Sequence, residues 1–149
     1  MTEKDTIPTV VQNEINRLKP TKAIIVGGTP KVSTIIEEKL KSLNVTTIQR
    51  YSGDTRYSTA TAVANTILPE KTASGEGIIS DAPNKNINVT AVIVNGFSET
   101  YMMDIASVAV RNELPILLTN GETLTSSVQD FLKSHTQISS FILLEMRVI

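Results

Sequence analysis

AVIVNGFSETYMMDIASVAVRNELPILLT (91–119) is the stretch whose reading decides the fold. Two short apolar runs, AVIV (91–94) and PILLT (115–119), flank a segment in which Met102, Ile105, Ala106 and Ala109 fall on one helical stripe. An apolar run without polar alternation predicts a strand buried on both faces. Strand, helix and strand in that order join two such strands in parallel. The alternation continues outward: AIIV (23–26), VTTIQ (45–49) and FILL (141–144) read as strands, most of them too apolar to leave a face in water. Val32, Ile35, Ile36, Leu40 and Leu43 form one helical stripe, and Ala60, Val63, Ala64, Ile67 and Leu68 form another. The expected fold class is α/β, a parallel sheet flanked by helices with right-handed crossovers. PEKTASGEGIISDAPNKNINVT (69–90) breaks the pattern and reads as a long surface loop.

The chain also repeats itself. VVQNEINRLKPTKAIIVGG (10–28) and SVQDFLKSHTQISSFILLE (127–145) place Val11 with Val128, Gln12 with Gln129 and Ile15 with Leu132, all 117 residues apart. The first 47 residues thus read as the late part of one repeat, and residues 48–149 as most of the next.

Of the 149 residues, 40% are hydrophobic and 19% charged, with net charge −1. That balance argues against a generic nucleic-acid binder, which carries a basic excess, so any anion recognition must be local. Without cysteine there are no disulfides or thiolate metal sites. No segment reaches the ~20 apolar residues of a membrane span. The start, MTEKDTIPTVVQ, lacks a basic region followed by an apolar stretch, so an export signal would lie outside this chain.

Catalytic signatures are missing. Gly27-Gly28 follows a strand and precedes a helix starting near Ser33, the usual place for a phosphate. Yet GGTPKVS matches neither glycine-rich phosphate motif, and a plain turn is the better reading. The strands run out as VGG, IQR, VNG, LTN and LLE, without a phosphoacceptor Asp, and there is no G-x-S-x-G elbow. His135, in KSHTQ, reads as a solvent-exposed helix end rather than a general base. Glu99 and Asp104 would not share a helix face. No catalytic residue, metal site or cofactor is expected.

What remains is RYSGDTRYSTATAVANTI (50–67), with two Arg-Tyr pairs around a Ser-Gly-Asp turn. Asp54 is the expected N-cap of a helix carrying Arg56 and Tyr57 in its first turn. Arginine is electrostatically misplaced there, because the amino end of a helix already carries partial positive charge. Either Arg56 pairs inside the fold, with Asp54 or Asp104, or an exposed Arg50, Arg56 and Tyr57 cluster binds acidic groups bidentately.

The series R-Y-S-G-D-T-R-Y-S-T-A (50–60), V-I-V-N-G-F-S (92–98), D-I-A-S (104–107), P-I-L-L-T (115–119) and I-V-G-G…V-S (25–33) resembles the type 2 cell-wall-binding repeat of clostridial and other Gram-positive surface proteins. The resemblance implies a non-catalytic, Rossmann-like α/β anchoring module, present here as about one and a half tandem repeats. Such repeats usually assemble in threes around a pseudo-threefold axis. They hold a surface-layer or cell-wall protein to an anionic secondary wall polymer, outside the cell. By matching position it implies polymer contacts from Arg50, Arg56, Tyr57, Pro115, Ile116, Leu117 and Leu118. The end, LLEMRVI, departs from the Gly-Gly of the pattern, so the second repeat is expected to be truncated. The competing class is a domain binding a nucleotide or sugar at the carboxyl edge of the sheet, near Gly27, Asn95 and Asn120.

Overall fold

In the computed structural model, which describes residues 3–68 and 89–144, strands and helices alternate as the patterning dictates. Two units divide at Asp54 and Thr55.

The first unit holds α1 (Thr9–Leu18), β1 (Lys22–Val26), α2 (Thr34–Ser42) and β2 (Thr47–Tyr51). β1 and β2 run parallel, with Ile25 opposite Arg50 and Val26 opposite Tyr51. Ser33 is the N-cap of α2, and the helix ends where Asn44 turns to φ 65°. Ile36 and Leu40 from α2 then join Ile7, Ile25 and Val45 in an aliphatic core.

The second unit holds α3 (Arg56–Ile67), β3 (Val89–Asn95), α4 (Glu99–Arg111), β4 (Ile116–Thr119), α5 (Ser126–Ser134) and β5 (Ile138–Leu144). Its sheet has the order β4-β3-β5, all parallel, with Asn95 opposite Thr119 at the carboxyl edge. Ala91, Ile93 and Leu117 pack against Ala64 of α3 and Val128 and Phe131 of α5.

Burial on both faces holds for β3, where Ala91 through Val94 are all buried. It does not hold for β1 and β5. Ile24 and Val26 are each 56% exposed, and Phe141 and Leu143 are 47% and 56% exposed. Both strands end their sheets: β1 covers alternate side chains, Ala23 in part and Ile25 fully, while β5 buries none and half-buries Ile138, Ile142 and Leu144. The N-cap of α3 also sits one residue beyond expectation. Thr55, not Asp54, takes the extended backbone, and its Oγ1 accepts the Ser58 N–H at 3.1 Å. Ser58 Oγ accepts the Thr55 N–H at 3.0 Å, which closes a capping box. The loop read over 69–90 falls outside the described residues up to 88, and residues 89–90 begin β3. The divergent end after Leu144 also lies outside them.

The repeat recurs at the level of single bonds. Gln12 Nε2 donates to the Ile7 carbonyl at 2.7 Å, and Gln129 Nε2 donates to the Leu124 carbonyl at 2.7 Å. The first helical N–H groups bond alike, Val11 and Gln12 to Pro8 and Val128 and Gln129 to Thr125. Every one of these partners is again 117 residues from its counterpart.

Candidate functional site

Arg50, near the end of β2, sends its side chain across β1 to the turn that follows it. Nη1 donates to the carbonyls of Gly27 and Val32 at 2.6 and 2.8 Å. Nε and Nη2 both donate to Glu37 Oε1, at 2.9 and 2.7 Å. With the side chain only 16% exposed, the guanidinium is matched by a carboxylate and two main-chain oxygens of its own unit. It bolts the turn to α2. That turn needs Gly27, whose φ of 126° is closed to other residues at little cost and whose N–H continues the ladder to the Tyr51 carbonyl at 2.8 Å. The Gly27-Gly28 pair is therefore a turn, as its sequence suggested.

Arg56 is the first residue of α3 and is exposed. Its Nη1 donates to the Gly96 carbonyl at 2.8 Å, and its guanidinium carbon lies 4.5 Å from the centre of the Phe97 ring. The acceptor is thus a main-chain oxygen, where Asp54 or Asp104 had been the expected partners. The approach is close because residue 96 has no side chain. A Cβ there would meet Arg56 Cδ and the Thr119 carbonyl oxygen at 3.3 Å and Leu118 Cβ at 3.4 Å. Gly96 thereby brings Arg56 and Leu118 together at the carboxyl edge of the second sheet.

The other residues of the expected set are dispersed. Tyr57 is half-buried in the first turn of α3. Along β4 the parity of the strand separates Leu117, fully buried in the core, from Ile116 and Leu118, which are half-buried. Pro115 is fully buried as well. Pro115 and Leu117 have no surface with which to meet a polymer, and Arg50 has no uncommitted charge in the first unit. Outside the expected set, Phe97 lies at the same edge as Arg56 and is 63% exposed. Its signal was an aromatic directly after the strand-ending Asn-Gly.

Asn95 and Asn120, considered for a small ligand, spend their side-chain oxygens on their own loops. Asn95 Oδ1 accepts the Phe97 N–H at 3.0 Å. Asn120 Oδ1 accepts the N–H groups of Glu122 and Thr123 at 3.0 and 2.7 Å. His135 is not the exposed helix end expected of it. It is wholly buried, stacked on Phe131 at 3.9 Å between ring centres, with Nδ1 2.8 Å from the Phe131 carbonyl oxygen. Nδ1 also lies 3.0 Å from Ser134 Oγ, and Nε2, buried, has no hydrogen-bond partner among the described residues. Among the described residues no group of three or more His, Cys, Asp or Glu could hold a metal. No helix among them is long and apolar enough to cross a membrane.

The second unit is thus a parallel α/β unit whose sheet carries a cationic, an aromatic and an aliphatic side chain, Arg56, Phe97 and Leu118, at its carboxyl edge. The sequence pattern of the family described as Cell wall binding domain 2 (CWB2) matches residues 50–145. The chain belongs to that family. It is 30% identical over 132 residues to N-acetylmuramoyl-L-alanine amidase LytC of Bacillus subtilis (strain 168), covering 89% of this chain and 23% of LytC. It is 28% identical over 123 residues to the amidase enhancer of the same organism, covering 83% of this chain and 15% of that protein. Among solved structures it superposes on Cwp8 from Clostridium difficile with a TM-score of 0.65 at 31% identity, and on Cwp6 with 0.73 at 25%. These matches cover 89% and 94% of this chain and 20% of each of those. The chain thus spans less than a quarter of the length of each of these relatives.

Proposed function

We propose that the chain is a non-catalytic anchoring module that retains a surface protein on a Gram-positive cell wall, outside the cell, by binding an anionic secondary wall polymer. The observation that carries this is Arg56, an exposed cation committed to one main-chain oxygen, set beside Leu118 at one sheet edge. Tyr57, Ile116 and Leu118 supply the apolar part of the contact. Membership of a cell-wall-binding family supports the location and the target. Residues 1–47 are the closing part of one repeat and 48–149 the next, and both assemble with neighbouring repeats of the same kind. A single exposed arginine contributes little free energy in water. Retention therefore comes from many linked contacts, whose joint strength grows through effective concentration.

Co-sedimentation of the chain with purified Gram-positive walls tests this. Retention is expected below ~0.15 M ionic strength, declining as salt rises through the range where the Debye length shrinks below ~8 Å. It should vanish once acidic polymers are stripped from the walls. Retention that survives stripping unchanged, or none at low salt, overturns the proposal.

A further inference from the structure

Arg50 and Arg56 share one anchorage and differ in the other. Each donates Nη1 to the carbonyl of a glycine that follows a strand, Gly27 after β1 at 2.6 Å and Gly96 after β3 at 2.8 Å. On the opposite edge of a guanidinium, the Nε and Nη2 hydrogens point the same way and form a fork suited to an oxyanion. In Arg50 both prongs meet Oε1 of Glu37. In Arg56 they have no protein acceptor among the described residues. Glu37 reaches Arg50 from α2, the helix that follows the Gly27 turn, whereas Arg56 comes to Gly96 from the first turn of α3.

Phe97 holds this fork in place. Its backbone N–H is fixed by Asn95, and its ring lies 4.5 Å from the guanidinium carbon while remaining 63% exposed. A lone exposed apolar side chain is ordinary. One that supports a cationic fork already pinned at Nη1 is organised for a ligand, because less rotamer freedom remains to be lost on binding.

We propose that Arg56 and Phe97 form a subsite for one sugar residue bearing an oxyanion, a carboxylate or a phosphate. The anion sits in the Nε/Nη2 fork, and the C–H face of the sugar packs on the exposed surface of the Phe97 ring. This rests on the wall-binding reading of the same edge and narrows it. The unit recognised is a single acidic sugar rather than diffuse polymer charge, and Phe97 is a ligand-facing residue.

The test is an NMR titration of the full chain with glucuronate, glucose 6-phosphate and glucose at matched ionic strength. The probes are the Arg56 Nε–H and the Gly96 and Phe97 amides. A saturating shift is expected with the acidic sugars and none with glucose, and the tighter of the two identifies carboxylate or phosphate as the preferred anion. Arg56→Lys, which keeps the charge and loses the fork, should weaken that binding about ten-fold. Phe97→Ala should weaken it about three-fold. Phe97→Tyr keeps the ring and should bind like the wild type, which guards against a variant that fails to fold. No saturating shift with either acidic sugar, or Arg56→Lys binding as tightly as wild type, overturns the proposal. Wall co-sedimentation of the same samples separates the two claims. Retention without a saturating shift removes the subsite and leaves anchoring; a saturating shift without retention removes anchoring and leaves the subsite.

Discussion

Two arginines six residues apart, each followed by Tyr, look interchangeable on paper, and the sequence assigned both to the same polymer contact. What separates them is Glu37, thirteen residues before Arg50 and on a different element. No local pattern announces that pairing. Arg50→Ala removes four hydrogen bonds, two of them to a carboxylate left half-shielded. It should lower stability by about 2–3 kcal/mol, read as an earlier urea midpoint, while the second unit keeps its wall retention. The loop that carries Phe97 depends on a residue distant in sequence. Gly121 has φ 90°, and a Cβ there would lie 2.7 Å from Asn95 Nδ2. Gly121→Ala should therefore cost about 1–2 kcal/mol in a thermal melt. It should also shift the Phe97 amide resonance, since Asn95 holds that N–H.

At the scale of the element, the strands were legible because short β-branched and apolar runs can hardly be anything else between helical stripes. The central strand met the prediction of two buried faces. The end strands did not, since composition reports how apolar a run is but not whether a helix covers its second side. Nor could the run P-I-L-L reveal which of its members faces inward; that follows from the parity of β4 against β3. Leu117→Ala should destabilise by about 2–5 kcal/mol, as expected for a fully buried leucine. Leu118→Ala should cost about 1 kcal/mol in the same unfolding experiment and reduce wall retention with the fold intact. A reversed order of the two stabilities would contradict the side-chain placement. The displaced cap of α3 has a similar origin. Asp54 and Thr55 are both good N-caps, and only the reciprocal bond with Ser58 decides between them.

Across the whole molecule, the repeat seen as two identical letters and one aliphatic pair reappears as matched chemistry. The glutamine that opens α1 and the one that opens α5 each reach back five residues to a carbonyl, at the same distance. Gln12→Ala and Gln129→Ala should each cost about 1 kcal/mol, measured by amide exchange in the first turn of the corresponding helix. Unequal effects would mean that the two helix starts are alike in outline only. The candidate site was less legible than this scaffold. It is assembled from Arg56, Gly96, Phe97 and Leu118, which lie on a helix, a loop and a strand and share no spacing that periodicity could detect.

The paired hydrogen bonds from Arg50 to one carboxylate have a wider corollary. On the proposed reading, an arginine that its own fold satisfies, as Arg50 is, stays mute toward the wall, and one with bare prongs, as Arg56 has, is heard there. The difference lies in a single acidic side chain on the neighbouring helix. Without Glu37, the Nε and Nη2 prongs of Arg50 would be bare while its bonds to the Gly27 and Val32 carbonyls remain.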